Sequence, residues 1–301
     1  MQIIGPEIEP RLDWLALTDA LAQGHELPRA EIADSFLYRG RDTLLTRSAW
    51  IDGLGLAVKP ATIFPGNSDR GAPVVNGVVN LLDDVTGQLR ALVDFHLVTK
   101  WKTAGDSLLS ARRLARPDAR RVLVIGAGSV AESMVHAYRA LIPDAQICIW
   151  NRSPAGAEAL AQRVSARAVR DLEPAVRDAE IIATATMATQ PVLRGEWLSP
   201  GTHVDLIGAF RPDMREADDD LLKNARLFVD SRATTLGHIG EIQIPIDAGA
   251  IRESDILADF YDLPAGAYSR RSDHEITVAK NGGGAHLDLM TAAWILSVAE
   301  G

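Results

Sequence analysis

The chain has a single cysteine, Cys148, so no disulfide framework can hold it together. It also lacks a surplus of positive charge: 31 Lys and Arg stand against 40 Asp and Glu, for a formal net charge of −9. A general nucleic-acid binder needs a basic surface to displace counterions, and that class is excluded. Every apolar run falls well short of the about 18 residues that a membrane span requires. The start, 1–11, carries Glu7, Glu9 and two prolines and does not read as a signal peptide. A reduced, cytoplasmic compartment is therefore expected. His25, His96, His136, His203, His238, His274 and His286 are scattered without H-x-x-x-H spacing, so no metal site is read. There is no G-x-S-x-G elbow, no internal repeat and no low-complexity tract.

What is present is ordinary globular material: 301 residues, 47% apolar and 24% charged, enough for two domains. An acidic chain poses a question. If its ligand is an anion, the positive charge that holds it must be gathered locally.

The first ~105 residues mix periods. A helix is expected over 13–23, stopped by Gly24, with strands over 42–64, 74–82 and 89–93. A helix over 103–114 follows. From Arg120 the texture changes to strands over 121–125, 145–150, 180–185, 203–208 and 226–230, with helices over 129–141 and 155–166 between the first of them. Strands alternating with helices mean parallel βαβ units, hence an α/β fold. The segment 286–300 reads as an apolar helix, and Cys148, mid-strand, as an inert buried thiol.

The strand at 121–125 runs into G-A-G-S-V-A and then a helix, the arrangement that binds dinucleotides. Gly126 permits the tight turn and Gly128 lets backbone approach a pyrophosphate. Ser129 and Val130 open the helix whose N-terminus receives it, and Ala131 takes the helix-packing position. The second strand ends in Asn151, Arg152 and Ser153. No carboxylate stands there to hold a ribose 2′-hydroxyl, and a guanidinium is placed to grip a 2′-phosphate. NADPH is therefore expected, with NADH less favoured. Thr186, after the strand at 180–185, is counted among the cofactor-binding residues.

Several segments carry a family resemblance: 97–115, V-K-P-A-T-I-F-P-G-N at 58–67, 191–208, M-R-E-A-D at 214–218, and G-G-G-A-H-L-D-L ending at 289. Together they resemble the ornithine cyclodeaminase/μ-crystallin family over nearly the whole chain. The resemblance implies a homodimer. It implies a Rossmann-type doubly wound parallel sheet, 106–285, inserted in an α+β substrate-binding and dimerisation domain, 1–105 plus 286–301. Lys59 matches the family's active-site lysine. Lys102 stands where many members have a carboxylate-clamping arginine, and Arg39 or Arg47 would supply a further cation. Asn67 would shape the substrate loop. Thr103, read as a helix start, would meet a cofactor phosphate. Glu241 is read as a loop acid.

Cyclodeaminases carry an aspartate shortly after the I-G strand, where this chain has Phe210; Asp213 lies three residues on. Losing that carboxylate undermines deamination and leaves hydride transfer intact. The variants G-A-F-R-P-D-M-R-E and W-K-T-A look like the branch that reduces cyclic ketimines. They imply NADPH-dependent reduction of Δ1-pyrroline-2-carboxylate, and of Δ1-piperideine-2-carboxylate, to L-proline and L-pipecolate, with Phe210 covering the ring. The alternatives are an ornithine cyclodeaminase, an amino-acid dehydrogenase, and a non-catalytic NADPH-binding protein of the μ-crystallin kind.

Overall fold

The computed structural model describes residues 1–301. The chain divides into two compact units, Met1–Lys102 with Gly284–Gly301, and Thr103–Gly283.

The first unit contains β1 (Gln2–Ile4), α1 (Trp14–Gly24), β2 (Glu31–Arg39), β3 (Asp42–Ile51), β4 (Gly55–Ile63), β5 (Val75–Leu82) and β6 (Leu89–Asp94). The start of α2 (Phe95–Leu114) and a C-terminal helix, Ala285–Glu300, complete it. The sheet order is β1-β6-β5-β4-β3-β2, an antiparallel meander with β1 added in parallel. The C-terminal helix is apolar on nearly every side, so it is stable only when covered. It packs on β3, β4 and α1. Trp101 of α2 stacks on Trp14 at 3.9 Å and donates to Glu9 Oε1 at 2.9 Å, which fixes the first turns of α2.

Two expectations change here. The helix expected from 103 begins at Phe95, because Asp94 Oδ1 accepts the Leu97 N–H at 2.7 Å and acts as its cap. Thr103 is thus mid-helix and not at a helix start. Strand β2 was not expected at all. It is exposed along its whole length, so the alternation that marks a half-buried strand is muted by Asp34 and Ser35.

The second unit holds β7 (Arg121–Ile125), α3 (Ser129–Leu141), β8 (Gln146–Trp150), α4 (Pro154–Arg163), β9 (Arg167–Ala168), α5 (Leu172–Asp178) and β10 (Ile181–Thr184). It continues with β11 (His203–Leu206), α6 (Asp219–Asn224), β12 (Arg226–Val229), α7 (Arg232–Thr235), α8 (Gly240–Asp247), β13 (Ile256–Ala258) and β14 (Thr277–Lys280). All eight strands are parallel, in the order β13-β12-β14-β11-β10-β7-β8-β9. Strands buried on both faces read as continuous apolar runs, as R-V-L-V-I does. The strand order reverses between β7 and β10, which makes the sheet a Rossmann-type doubly wound one with its crevice at that point. Cys148 lies mid-β8 and is half-buried, not enclosed.

Glu241 is not a loop acid. It lies in the first turn of α8, fully buried, and its oxygens accept the Glu216 N–H at 2.7 Å and the Ala217 N–H at 3.0 Å. Burial, and then the neighbouring Glu216 charge, push its carboxyl up to about 7. Between the usual carboxyl value and that value the folded state keeps a proton that the unfolded chain has released. Stability therefore falls as pH rises from about 4.5 to 7, by up to about 3 kcal/mol from this group. Glu241→Gln is expected to flatten the decline of Tm between pH 5 and pH 8 in calorimetry; an unchanged slope counts against this account.

Candidate functional site

The first unit gathers a cluster of charges around one buried carboxylate. Lys59 faces the same side of β4 as Ala57 and Ala61, the side covered by the C-terminal helix, and it is 5% exposed. Its Nζ donates to Asp288 Oδ1 at 2.8 Å and to Thr99 Oγ1 at 2.8 Å, and lies 4.6 Å from the centre of the Phe95 ring. Thr99 in turn donates to the Phe95 carbonyl. An ammonium has three donors, so one N–H of Lys59 is uncommitted.

Phe95, Thr99 and Lys102 recur at helical spacing and share a face of α2. Lys102 is 8% exposed; its Nζ makes no hydrogen bond and approaches Asp288 Oδ1 only at 3.7 Å. Arg47 is paired directly across from Lys59 on β3, and directly across from Asp34 on β2. Its guanidinium takes the Asp34 carboxylate in a fork at 2.9–3.1 Å.

The electrostatics follow from burial and these neighbours. Burial alone would raise the Asp288 carboxyl, but Lys102, Lys59 and Arg47 outweigh it and hold it at about 2. Its place in the first turn of the C-terminal helix adds the favourable end of the helix dipole. Burial lowers the Lys59 ammonium; Asp288 opposes that, while Lys102 and Arg47 add to it. His286 is driven down to about 3, first by burial and then by His25 and Lys102, so it is neutral at working pH. Three cations then face two carboxylates, Asp34 and Asp288, an excess of one positive charge, with Lys59 and Lys102 sharing Asp288.

The second unit carries the dinucleotide features. Gly126 has φ +131°, and a Cβ there would lie 2.5 Å from the Ala185 carbonyl oxygen, so only glycine fits the turn. A Cβ on Gly128 would meet nothing within 4 Å. Gly128 and Ser129 are exposed, Val130 is half-buried, and no side chain caps α3. That is an open helix N-terminus with room for a group to lie against it. Arg152 is exposed and makes no ion pair, while the Asn151 amide donates to the Ser153 carbonyl at 3.1 Å. The residues present therefore fit a dinucleotide.

Other expected residues lie elsewhere or are already engaged. Arg39 is at the far end of the β2–β3 hairpin, its side chain 80% exposed and bound to Asp42 at 2.9 Å. It is not in the Lys59 cluster, and Arg47 is, because Arg47 is the residue in register with Lys59. Asn67 closes its own loop by donating to the Pro73 carbonyl at 2.9 Å. Thr186 spends both its N–H and its hydroxyl on Glu216 Oε1, at 2.8 and 2.7 Å. Phe210, in the second unit, is 56% exposed and lies beneath the Arg211 guanidinium.

Asp288, Thr99 and Glu216 escaped sequence reasoning. Asp288 had one signal, an acid in the first turn of an otherwise apolar helix. Glu216 is buried and also accepts from Thr184 Oγ1 and the Gly208 N–H, each at 2.7 Å, which braces the segments after β10 and β11.

Known proteins resemble this chain in sequence and fold. Residues 49–301 match the profile of the ornithine cyclodeaminase/mu-crystallin family. A Paracoccus denitrificans protein named Delta(1)-pyrroline-2-carboxylate reductase is 53% identical over 298 residues, covering 97% of this chain and 94% of that protein. Ketimine reductase mu-crystallin of Rattus norvegicus is 35% identical over 239 residues, 79% of this chain and 74% of that protein. Among solved structures, Thermococcus litoralis Delta(1)-pyrroline-2-carboxylate reductase in complex with NADH and L-proline superposes with a TM-score of 0.89 at 25% identity, covering 100% of this chain and 98% of that one. The chain belongs to the ornithine cyclodeaminase/mu-crystallin family.

Proposed function

We propose that this protein is an NADPH-dependent reductase of cyclic ketimine carboxylates. It converts Δ1-pyrroline-2-carboxylate to L-proline, and the six-membered homologue to L-pipecolate. The observation that carries the reading is the one uncompensated positive charge beside Asp288, with a nearly buried Lys102 ammonium that has no hydrogen-bond acceptor. A buried charge of that kind calls for a partner. The unprotonated cyclic imine carboxylate is a monoanion and supplies one.

In this reading the first unit binds substrate and the second binds cofactor. Lys102 neutralises the substrate carboxylate, assisted by Arg47. The uncommitted N–H of Lys59 is directed to the imine nitrogen and provides the proton that turns C=N into CH–NH. When bound, the nicotinamide supplies the hydride that reduces the imine carbon. Lys59 then regains a proton from water. Gly126, Gly128, Ser129 and Val130 hold the pyrophosphate at the start of α3, and Arg152 holds the 2′-phosphate. The relative's complex with NADH and L-proline supports a nicotinamide dinucleotide and a cyclic imino acid for this chain.

The cyclodeaminase alternative needs a free carboxylate near position 210. Asp213 is bound to Arg211 at 2.9 and 3.0 Å, which supports the reductase. The direct experiment follows NADPH oxidation with Δ1-pyrroline-2-carboxylate near neutral pH. Turnover is expected; ammonia release from L-ornithine without it would overturn the reading. Arg152→Ala is expected to cut the preference for NADPH over NADH about tenfold or more, the scale of a lost charge-assisted contact. An unchanged ratio of kcat/KM values would remove Arg152 from the site.

The same reading includes a homodimer. Ile32, Phe36 and Tyr38 alternate on the face of β2 that also carries Asp34, and all three are exposed. Phe36 and Tyr38 stack 6.1 Å apart. An apolar row of this kind favours a partner surface. A monomer in sedimentation at micromolar concentration would count against it.

A further inference from the structure

We propose that Asp288 is a positioning residue that holds Lys59, and not Lys102, as the ammonium the reaction uses. The inference rests on the reductase reading above and goes beyond it. The two lysines compete for one oxygen. Asp288 Oδ1 is 2.8 Å from Lys59 Nζ, a hydrogen bond, and 3.7 Å from Lys102 Nζ, an ion pair without one. Asp288 Oδ2 is buried and has no hydrogen-bond partner. The carboxylate is therefore committed to Lys59 through a single oxygen, with its side chain 1% exposed.

The groups facing Lys59 make that commitment decisive. From β3 comes Arg47, itself held by Asp34 of β2; from α2 come Lys102, Thr99 and Phe95. From the C-terminal helix come Asp288 and His286, and His25 follows α1 with its ring 5.6 Å from that of His286. Thr99 is neutral, and His286, lowered to about 3 first by its burial, is neutral as well. Asp288 is thus the only anion in direct contact with Lys59. Without it, a desolvated ammonium beside two other cations gives up its proton at a lower pH. Lys102 has the opposite influence: its charge repels that of Lys59 and draws on the same oxygen.

The test is the alkaline limb of kcat/KM for Δ1-pyrroline-2-carboxylate, where activity falls as Lys59 loses its proton. The substrate's own ionisation is common to all proteins compared, so differences between them belong to the enzyme. In Asp288→Asn the limb is expected about one pH unit or more below that of the wild type. In Lys102→Gln it is expected above the wild-type limb. Asp288→Glu, which restores the charge, is expected to return the limb towards its original position. A folded Asp288→Asn enzyme with an unmoved limb overturns the proposal. If that variant does not fold, an unmoved limb in Lys102→Gln overturns it instead. Failure of the underlying reading looks different: the wild type itself would then show no NADPH oxidation with Δ1-pyrroline-2-carboxylate, whereas failure of the Asp288 proposal alone leaves wild-type turnover in place with an unmoved limb in the variants.

Discussion

Lys59→Met is expected to give a folded protein whose kcat/KM for the cyclic imine is lower by about 10³-fold or more. Methionine fills the volume of the lysine stem between Thr99, Phe95 and the C-terminal helix, and it carries no charge to desolvate. Asp288 keeps Lys102 nearby, so its carboxylate is not left wholly without a cation. In the proposed reaction the variant loses the proton that must reach nitrogen, and a positioned acid typically accounts for about 10²–10⁴-fold. The loss of one of the three local cations adds to that. Steady-state rates with a thermal melt on the same sample check both halves. Activity within tenfold of the wild type, in a protein with an unchanged Tm, would remove Lys59 from the chemistry.

The second large effect separates two glycines that look alike in sequence. Gly126→Ala is expected to destabilise the fold by about 3 kcal/mol or more, because the new Cβ meets the Ala185 carbonyl and the residue sits at φ +131°. The clash falls between the ends of β7 and β10, where two neighbouring strands must stay in register. Gly128→Ala has open space for its methyl group, so its melt is expected to match the wild type. Its defect is expected only with cofactor, as a raised KM for NADPH, because in the proposed binding mode the methyl occupies the approach to the pyrophosphate. Calorimetry of both apo proteins decides this. Equal destabilisation of the two would contradict the geometry.

The sequence was a good guide wherever local pattern and chemistry coincide. The run R-V-L-V-I followed by G-A-G and a helix announces its own strand, turn and open helix start, because every part lies within about a dozen residues. Lys59 and Lys102 were readable through motif resemblance. Residues that matter through long-range register were not. Arg39 and Arg47 are equally plausible on a strand until the pairing is known, and pairing places Arg47 opposite Lys59 and Arg39 at the hairpin end. Asp288 reaches Lys59 from a helix more than two hundred residues away, and no local signal announces such a meeting. Thr103 was misplaced for a simpler reason: the capping residue is Asp94, and the helix had already run for two turns. Thr186 was a fair candidate by position, but a hydroxyl next to a buried carboxylate is taken by that carboxylate.

The discontinuity of the first unit has a consequence for the order of folding. The second unit is one uninterrupted segment and can complete its sheet from its own neighbours along the chain. The first unit must join pieces on either side of that segment, and Lys59 and Asp288 meet across a separation of 229 residues. Contacts between such distant parts of a chain form slowly, because closure of the intervening loop precedes any reward. The strands of the first sheet can pair early, but the helix that covers their apolar face and carries the only anion touching Lys59 docks last. On refolding, capacity to hold the dinucleotide is therefore expected to return before capacity to turn over the imine. The interval between the two measures how long the lysines wait for their counter-ion.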